Sequence, residues 1–234
     1  MEGEDRVHKD FKKLKGDWQK IGRERPYWGV LTNELFLPES IDGNIDKFYE
    51  RGRKDVERLR EIARENDFAF EGKRVLDFGC GVGRLSLAMA RYAKDVVGVD
   101  ISEGMLKEAR KHCNHGNVEF MLSDNLEEFG TASFDAIISL ITLQHIRPLL
   151  MKEYIGRLLR LLKPGCYAFL DTRTEVAIAT GTDETSRYME VHFLPGDEVE
   201  EIGTANDCVI RAAVPRGRKD GNMGFIFVFC KNTT

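Results

Sequence analysis

The stretch Arg74-Val75-Leu76-Asp77-Phe78-Gly79-Cys80-Gly81-Val82-Gly83-Arg84-Leu85-Ser86 decides how the rest of the chain is read. Residues 75–78 are apolar and β-prone apart from Asp77, which predicts a short buried strand. Three glycines follow at alternate positions, and then Leu85, Ala88 and Met89 recur with helical spacing. Strand, glycine turn and helix bring a ligand against bare main chain at a helix N-terminus. A tight turn needs positive φ there, and a side chain would hold the ligand away, so the residue type is glycine.

The pattern also narrows the ligand. A dinucleotide site wants Gly-x-Gly-x-x-Gly, and Arg84 stands where the last glycine belongs. The Gly-Lys-Ser/Thr of a P-loop is absent. Asp77 precedes the glycines instead, and a carboxylate there repels a pyrophosphate and attracts a cation.

Downstream, residues 95–100 predict a second buried strand ending in Asp100, at the distance expected within half of a dinucleotide-type unit. A carboxylate at such a strand end can accept both hydroxyls of a ribose. Ser102 is placed to cap the next helix, whose Met105, Leu106 and Ala109 face inward. Residues 117–126 supply a third strand with Asp124 near its end, and residues 133–140 a fourth, followed by Leu143-Gln144-His145-Ile146. His145 is the general-base candidate, by its ordinary pKa class. Pro148 opens a helix that Lys163-Pro164-Gly165 stops, and residues 166–171 make a fifth strand. Between about 173 and 196 the apolar period is lost, which reads as a substrate loop with Thr172, Arg173, Tyr188 and His192. A short helix over 196–205 and strands over 208–214 and 224–230 finish the chain, with Arg216, Arg218 and Lys219 on a solvated hairpin tip.

Residues 1–70 read as a helical extension. Lys9, Lys12, Lys13 and Lys15 lie on the solvated face of an amphipathic first helix, interleaved with Phe11, Leu14 and Trp18. Residues 25–32, with Tyr27 and Trp28 beside Pro26 and Gly29, are either a hydrophobic plug or an aromatic lid over substrate. From Ile45 the spacing of Phe48, Gly52, Val56, Leu59, Ile62 and Ala63 predicts a long helix, capped by Asp42 or Asn44.

A chain of 234 residues with 42% hydrophobic and 32% charged residues is long enough for a core and is not disordered in composition. A net charge of −4 gives no general attraction to nucleic acid or an anionic membrane. Five dispersed cysteines without metal-ligand spacing read as reduced thiols, and the histidines form no His-x-x-x-His pair, so no metal is expected. With no apolar leader or spanning run, the expected compartment is the cytoplasm.

From about residue 72 to 231 the order of elements resembles class I S-adenosylmethionine-dependent methyltransferases, with four motifs: the Asp-x-Gly-x-Gly-x-Gly turn, Asp100, Phe134-Asp135 with its apolar strand, and Leu162-Lys163-Pro164-Gly165. The resemblance implies a doubly wound α/β domain over residues 71–234, with a seven-stranded, mostly parallel sheet whose last strand is antiparallel. It implies S-adenosyl-L-methionine as cofactor, with the main chain of Gly79, Cys80, Gly81 and Gly83 near the methionine portion and Asp77 ordering the loop or meeting the ammonium. Asp100 then holds the ribose, Ile101 and Met105 flank the adenine, and Asp124, Asn125 and Leu126 meet it. The carbonyl of Leu140 faces the ammonium. Trp28, Arg173, Tyr188 and His192 are candidates for the acceptor. The chemistry implied is methyl transfer to an oxygen or nitrogen of a small molecule or peptide group. Ser139-Leu140-Ile141-Thr142 stands where base-amine methylation needs Asn/Asp-Pro-Pro-Tyr, which disfavours nucleic acid. A catalytically silent cofactor- or partner-binding module and a nicotinamide-dependent oxidoreductase remain as alternatives.

Overall fold

The computed structural model describes residues 2–174, 189–217 and 223–233. Its strands form a seven-stranded sheet, parallel but for the last strand, which runs antiparallel to its partners. With the helices this is the α/β class the sequence predicts. By contacts the chain divides into two compact units, residues 15–124 and residues 1–14 with 125–234. Helix α1 (Glu2–Glu24) contributes to both.

In the unit of residues 15–124, β1 (Arg74–Phe78), β2 (Asp95–Asp100) and β3 (Val118–Leu122) pair in parallel, with β2 between the other two. Val75 to Phe78 and Val96 to Val99 are buried throughout, as strands covered on both faces must be. The short α2 (Pro26–Val30) precedes α3 (Ile45–Glu65). Helix α3 turns Phe48, Val56, Leu59, Ile62 and Ala63 inward at the predicted spacing. Its Gly52 is required by close approach: a Cβ there would stand 2.3 Å from the carbonyl oxygen of Arg84 in α4 (Arg84–Met89). The guanidinium of Arg84 itself turns to Asp55 of α3. Asn44 holds the N-cap position of α3 without capping it, because its amide donates to the Ser40 carbonyl and its oxygen accepts from Lys47, each at 2.9 Å. Ser102 does cap α5 (Glu103–His112), accepting from the Met105 N–H.

In the other unit, β4 (Phe134–Ser139) pairs in parallel with β5 (Leu162–Arg173). Helix α6 (Pro148–Leu161) lies between them in sequence, with Leu150, Met151, Tyr154, Ile155, Leu158 and Leu159 buried. Strand β5 begins at once where α6 stops, four residues earlier than the sequence suggests. The Lys163-Pro164-Gly165 stretch is absorbed in a register shift between the pairs Phe134–Leu162 and Ala136–Tyr167, with Gly165 at φ 72°. After α7 (Gly196–Ala205), β6 (Cys208–Gly217) and β7 (Met223–Lys231) close the chain, β7 antiparallel to both β5 and β6. Strand β6 runs three residues past its expected end, so Arg216, expected on a solvated tip, is a strand residue opposite Gly224.

Candidate functional site

The turn after β1 is built from main-chain hydrogen bonds. The N–H groups of Gly79 and Cys80 both donate to the Val99 carbonyl at 2.9 Å, and Gly83 N–H donates to the Cys80 carbonyl at 3.0 Å. Gly79, Gly81 and Gly83 sit at φ 70°, 54° and 77°, the left-handed region in which only glycine is unstrained. The space beside two of them is filled by the protein itself. A Cβ on Gly81 would stand 2.8 Å from the Val30 side chain, and one on Gly83 would stand 2.8 Å from the Phe120 ring. Cys80 points its thiol into a core cluster with Leu106, Ala109 and Phe120, so it offers a ligand main chain only. Burial, with Asp100 and Asp77 nearby, pushes that thiol well above its ordinary pKa.

Two carboxylates order this turn. Asp77 is buried and accepts from the Ser86 hydroxyl at 2.6 Å, tying β1 to the first turn of α4. Burial pushes its carboxyl up to about 6, while the Ser86 bond and Arg84 hold it down. Asp100 accepts the Gly81 N–H on one oxygen and the Ser102 N–H on the other, each at 2.9 Å. Burial likewise raises it to about 6 against those backbone donors. Each oxygen of a carboxylate has two acceptor positions, so these bonds orient Asp100 and leave it able to accept hydroxyls.

The same unit holds three of the adenine candidates, Ile101, Met105 and Asp124, beside the first helices. Ile101 accepts the Gln19 side-chain amide on its carbonyl at 2.8 Å. Met105 is buried beneath Gly22 and Gly29. Asp124 pairs with Lys15. Lys13 pairs with Glu190 at 3.1 Å, so two of the four lysines on the solvated face also make ion pairs. Tyr27 and Trp28 of α2 are buried, with Tyr27 edge-on to Phe48 and the Arg25 guanidinium 5.7 Å over the Trp28 ring. That burial is what a hydrophobic plug requires.

In the other unit, the turns after β3 and β4 carry the candidates Asn125, Leu126 and Leu140. Asn125 accepts the Glu127 N–H at 3.2 Å, and Leu126 follows at φ 63°. The Leu140 carbonyl accepts a long 3.4 Å bond from the Thr142 hydroxyl, and a carbonyl has a second lone pair for a cation. Ile141, next along, stands at φ 65°, a conformation costing an ordinary residue about 1–2 kcal/mol and a β-branched one rarely adopts. Its N–H donates at 3.1 Å to Asp171 of β5, which is fully buried and paired at 2.7 Å with Arg216 of β6. Neither member of this pair was singled out for the site from sequence. Asp171 is simply the end of an apolar run, and Arg216 carries no local signal.

His145 lies in a 3-10 turn (Leu143–His145) after β4, with both ring nitrogens engaged. Nδ1 lies 3.0 Å from the Glu190 carbonyl, which can only accept, so the proton sits there and Nε2 accepts from the Gln144 amide at 3.0 Å. Gln144 accepts from the buried Arg173 at 3.1 Å. Glu190 collects Lys13, Arg147 and His192, and Arg147 also reaches Asp10 at 2.7 Å. Against the cost of its burial, Lys13 and Arg147 hold Glu190 below the usual carboxylate range. Burial lowers the pKa of His192, with Glu190 opposing. Tyr188 lies outside the described residues. Among the described residues no group of three or more His, Cys, Asp or Glu side chains is gathered to hold a metal ion, and no helix is long and apolar enough to cross a membrane.

Comparison with known proteins places this arrangement. Residues 75–165 match the family described as "Methyltransferase domain". The ubiquinone biosynthesis O-methyltransferase of Mesorhizobium japonicum is 32% identical over 182 residues, 76% of this chain and 66% of that protein. The chain spans about half the length of other curated relatives of the same name. The crystal structure of magnesium protoporphyrin IX methyltransferase from Synechocystis PCC 6803 with bound SAM matches with a TM-score of 0.68 at 20% identity, over 95% of this chain and 97% of that one. The [4+2]-cyclase SpnF shares the fold with a TM-score of 0.60 at 19% identity, over 76% of this chain and 81% of that one. The glycine turn behind its aspartate, the carboxylate at the end of the second strand and the antiparallel last strand thus occur in a chain that belongs to the class I S-adenosylmethionine-dependent methyltransferase family.

Proposed function

We propose that this protein is an S-adenosylmethionine-dependent methyltransferase acting on an oxygen of a small molecule. The observation that carries the cofactor assignment is Asp100, fixed by the N–H groups of Gly81 and Ser102 at the end of β2. A carboxylate at this strand end suits a ribose diol, and Asp77 ahead of the glycines repels a diphosphate, so the two together fit a nucleoside without phosphate. The names of the curated relatives support oxygen as the acceptor atom. When bound, S-adenosylmethionine supplies a methyl group already activated on a sulfonium, with the sulfide as leaving group.

The residues of the chain then bind and orient. Asp100 receives the ribose hydroxyls. Ile101, Met105, Asp124, Asn125 and Leu126 take the adenine, and the Leu140 carbonyl and Asp77 face the ammonium, with the turn over Gly79, Cys80, Gly81 and Gly83 alongside. Correct placement of two reactants is the main source of rate in such a displacement. A substrate hydroxyl must lose its proton. His145 takes it at Nε2, where the hydroxyl replaces the Gln144 amide now bonded there. Arg173 offers a cation to an acidic acceptor, with Trp28, Tyr188 and His192 as further contacts. In this reading residues 1–70 form the helical extension to the S-adenosylmethionine-binding domain over 71–234.

The second reading is a cofactor-binding protein without methyl transfer. Engagement of both nitrogens of His145 favours it, and fold alone does not decide, since a cyclase shares this fold. Calorimetry with S-adenosylmethionine, S-adenosylhomocysteine and NADH, followed by transfer of a tritiated methyl group to a panel of hydroxylated metabolites, tests both. Asp100→Ala should weaken both sulfur nucleosides at least about tenfold, equivalent to 1.4 kcal/mol. Unchanged affinity removes Asp100 from the site. Binding without transfer to any acceptor selects the second reading, and NADH binding alone overturns both.

A further inference from the structure

We infer that the ion pair between the buried Asp171 and the half-buried Arg216 is a positioning device that sets the direction of the Leu140 carbonyl. This rests on the reading that Leu140 receives the ammonium of the cofactor. Three observations carry it. Ile141 holds φ 65°, where a β-branched residue has no intrinsic reason to stay. Its N–H donates to one oxygen of Asp171, and the same oxygen accepts from Arg216, so the turn and Arg216 meet at one carboxylate oxygen. The peptide group that joins Leu140 to Ile141 carries the Leu140 carbonyl at one end and this N–H at the other. Because that group is planar, fixing the N–H direction fixes the carbonyl direction.

The geometry assigns a division of labour. Asp171 sits on β5 with no exposed surface and Arg216 on β6, so the anchor belongs to the rigid sheet rather than to the turn. Without it the turn relaxes to negative φ and the peptide rotates, taking the carbonyl away from a cation that needs it. Strained main chain held by surrounding structure is a recurrent property of sites that must be organised before ligand arrives.

The test separates the amino-acid end of the cofactor from its nucleoside end. S-adenosylhomocysteine carries the ammonium, whereas 5′-methylthioadenosine lacks it and should ignore Leu140. The double variant Asp171→Leu/Arg216→Met removes the ion pair as a unit, which avoids stranding one charge. It should weaken S-adenosylhomocysteine at least tenfold and change methylthioadenosine less than twofold. Asp171→Asn keeps an acceptor oxygen for Ile141 and should stay within threefold of wild type for both ligands. Adding Ile141→Gly to the double variant should restore at least half of the loss on a logarithmic scale, since glycine reaches φ 65° unaided. Equal losses for both ligands would show a merely structural pair and overturn the inference, as would no loss or no recovery with glycine. Should the double variant not fold, Asp171→Leu alone, which removes the acceptor of the Ile141 N–H and leaves the partly exposed Arg216 to solvent, carries the same comparison of ligands. A wild-type chain that binds neither ligand overturns the proposed function and this inference together, whereas normal wild-type binding with no discrimination between ligands overturns the inference alone.

Discussion

The turns after β1 and β4 both hold main chain at positive φ, and they do so by opposite means. After β1 the residues are glycines, free of the steric penalty, and neighbours such as Val30 and Phe120 occupy the space their side chains would need. After β4 the residue is isoleucine, and a carboxylate from β5 keeps its N–H in place. The first turn is specified by residue type and the second by tertiary pairing. A turn of the first kind has no room for a side chain at Gly81 or Gly83. A turn of the second kind tolerates its side chain but depends on its anchor.

The sharpest way to break this contrast is Gly83→Ala. The new methyl meets the Phe120 ring at 2.8 Å and Ala109 at 3.2 Å, with φ at 77°. The dihedral contributes about 1–2 kcal/mol and overpacking about 1–3, so unfolding in urea should show a loss of about 2–5 kcal/mol. A loss under about 1 kcal/mol would mean that the turn adjusts, and that its glycines are not compelled by shape.

This difference also explains what could be read from the sequence. The glycine turn, Asp100 and the cap at Ser102 each rest on a residue type with one local reason to be there. The strands were legible because parallel strands buried on both faces read as short apolar runs. Asp171 and Arg216 were not, since the pair joins residues 45 positions apart and neither has a local pattern. Lys13 and Lys15 read as solvent-facing charge, and they do face solvent, but their distant partners Glu190 and Asp124 carry no local signal. The early start of β5 was hidden because Lys163-Pro164-Gly165 reads as a helix stop and a turn, whereas the sheet absorbs it as an irregularity in register. Gly81 was legible as a glycine but not for its neighbour, because nothing local announces Val30.

Asp77 sharpens the contrast from the side of charge. Its folded value of about 6 stands above the ordinary 3.8, so the native state holds this proton more tightly than the unfolded chain. The resulting stability is fully present below about pH 4 and is lost as pH rises through 6. Ionised at neutral pH, the buried carboxylate costs up to about 3 kcal/mol, taking 1.36 kcal/mol per pKa unit. Asp77→Asn keeps the place near Ser86 and carries no charge at any pH. It should exceed wild type by about 1–3 kcal/mol at pH 7.5, with the gap closing towards pH 4, as urea titrations at the two pH values will show. The same change should weaken S-adenosylmethionine, since the carboxylate was assigned to its ammonium, and a gain in stability with a loss of binding is the usual exchange at a site. A gap that does not depend on pH would remove the charge from the explanation.

The mirror image of Gly83→Ala is Ile141→Gly, and its effect on stability should be the smallest. Glycine removes the strain of φ 65°, a gain of about 1–2 kcal/mol. Against this stand the larger chain entropy of glycine, about 0.5–1 kcal/mol, and the loss of a half-buried aliphatic side chain, on the order of 1 kcal/mol. These nearly cancel, so the urea midpoint should place the variant within about 1 kcal/mol of wild type. The comparison turns on that near equality: if Asp171 holds the turn against its own strain, the strain released should be of the same size as the packing lost. A loss of about 3 kcal/mol would show that the isoleucine side chain, and not the anchored N–H, is what the turn depends on.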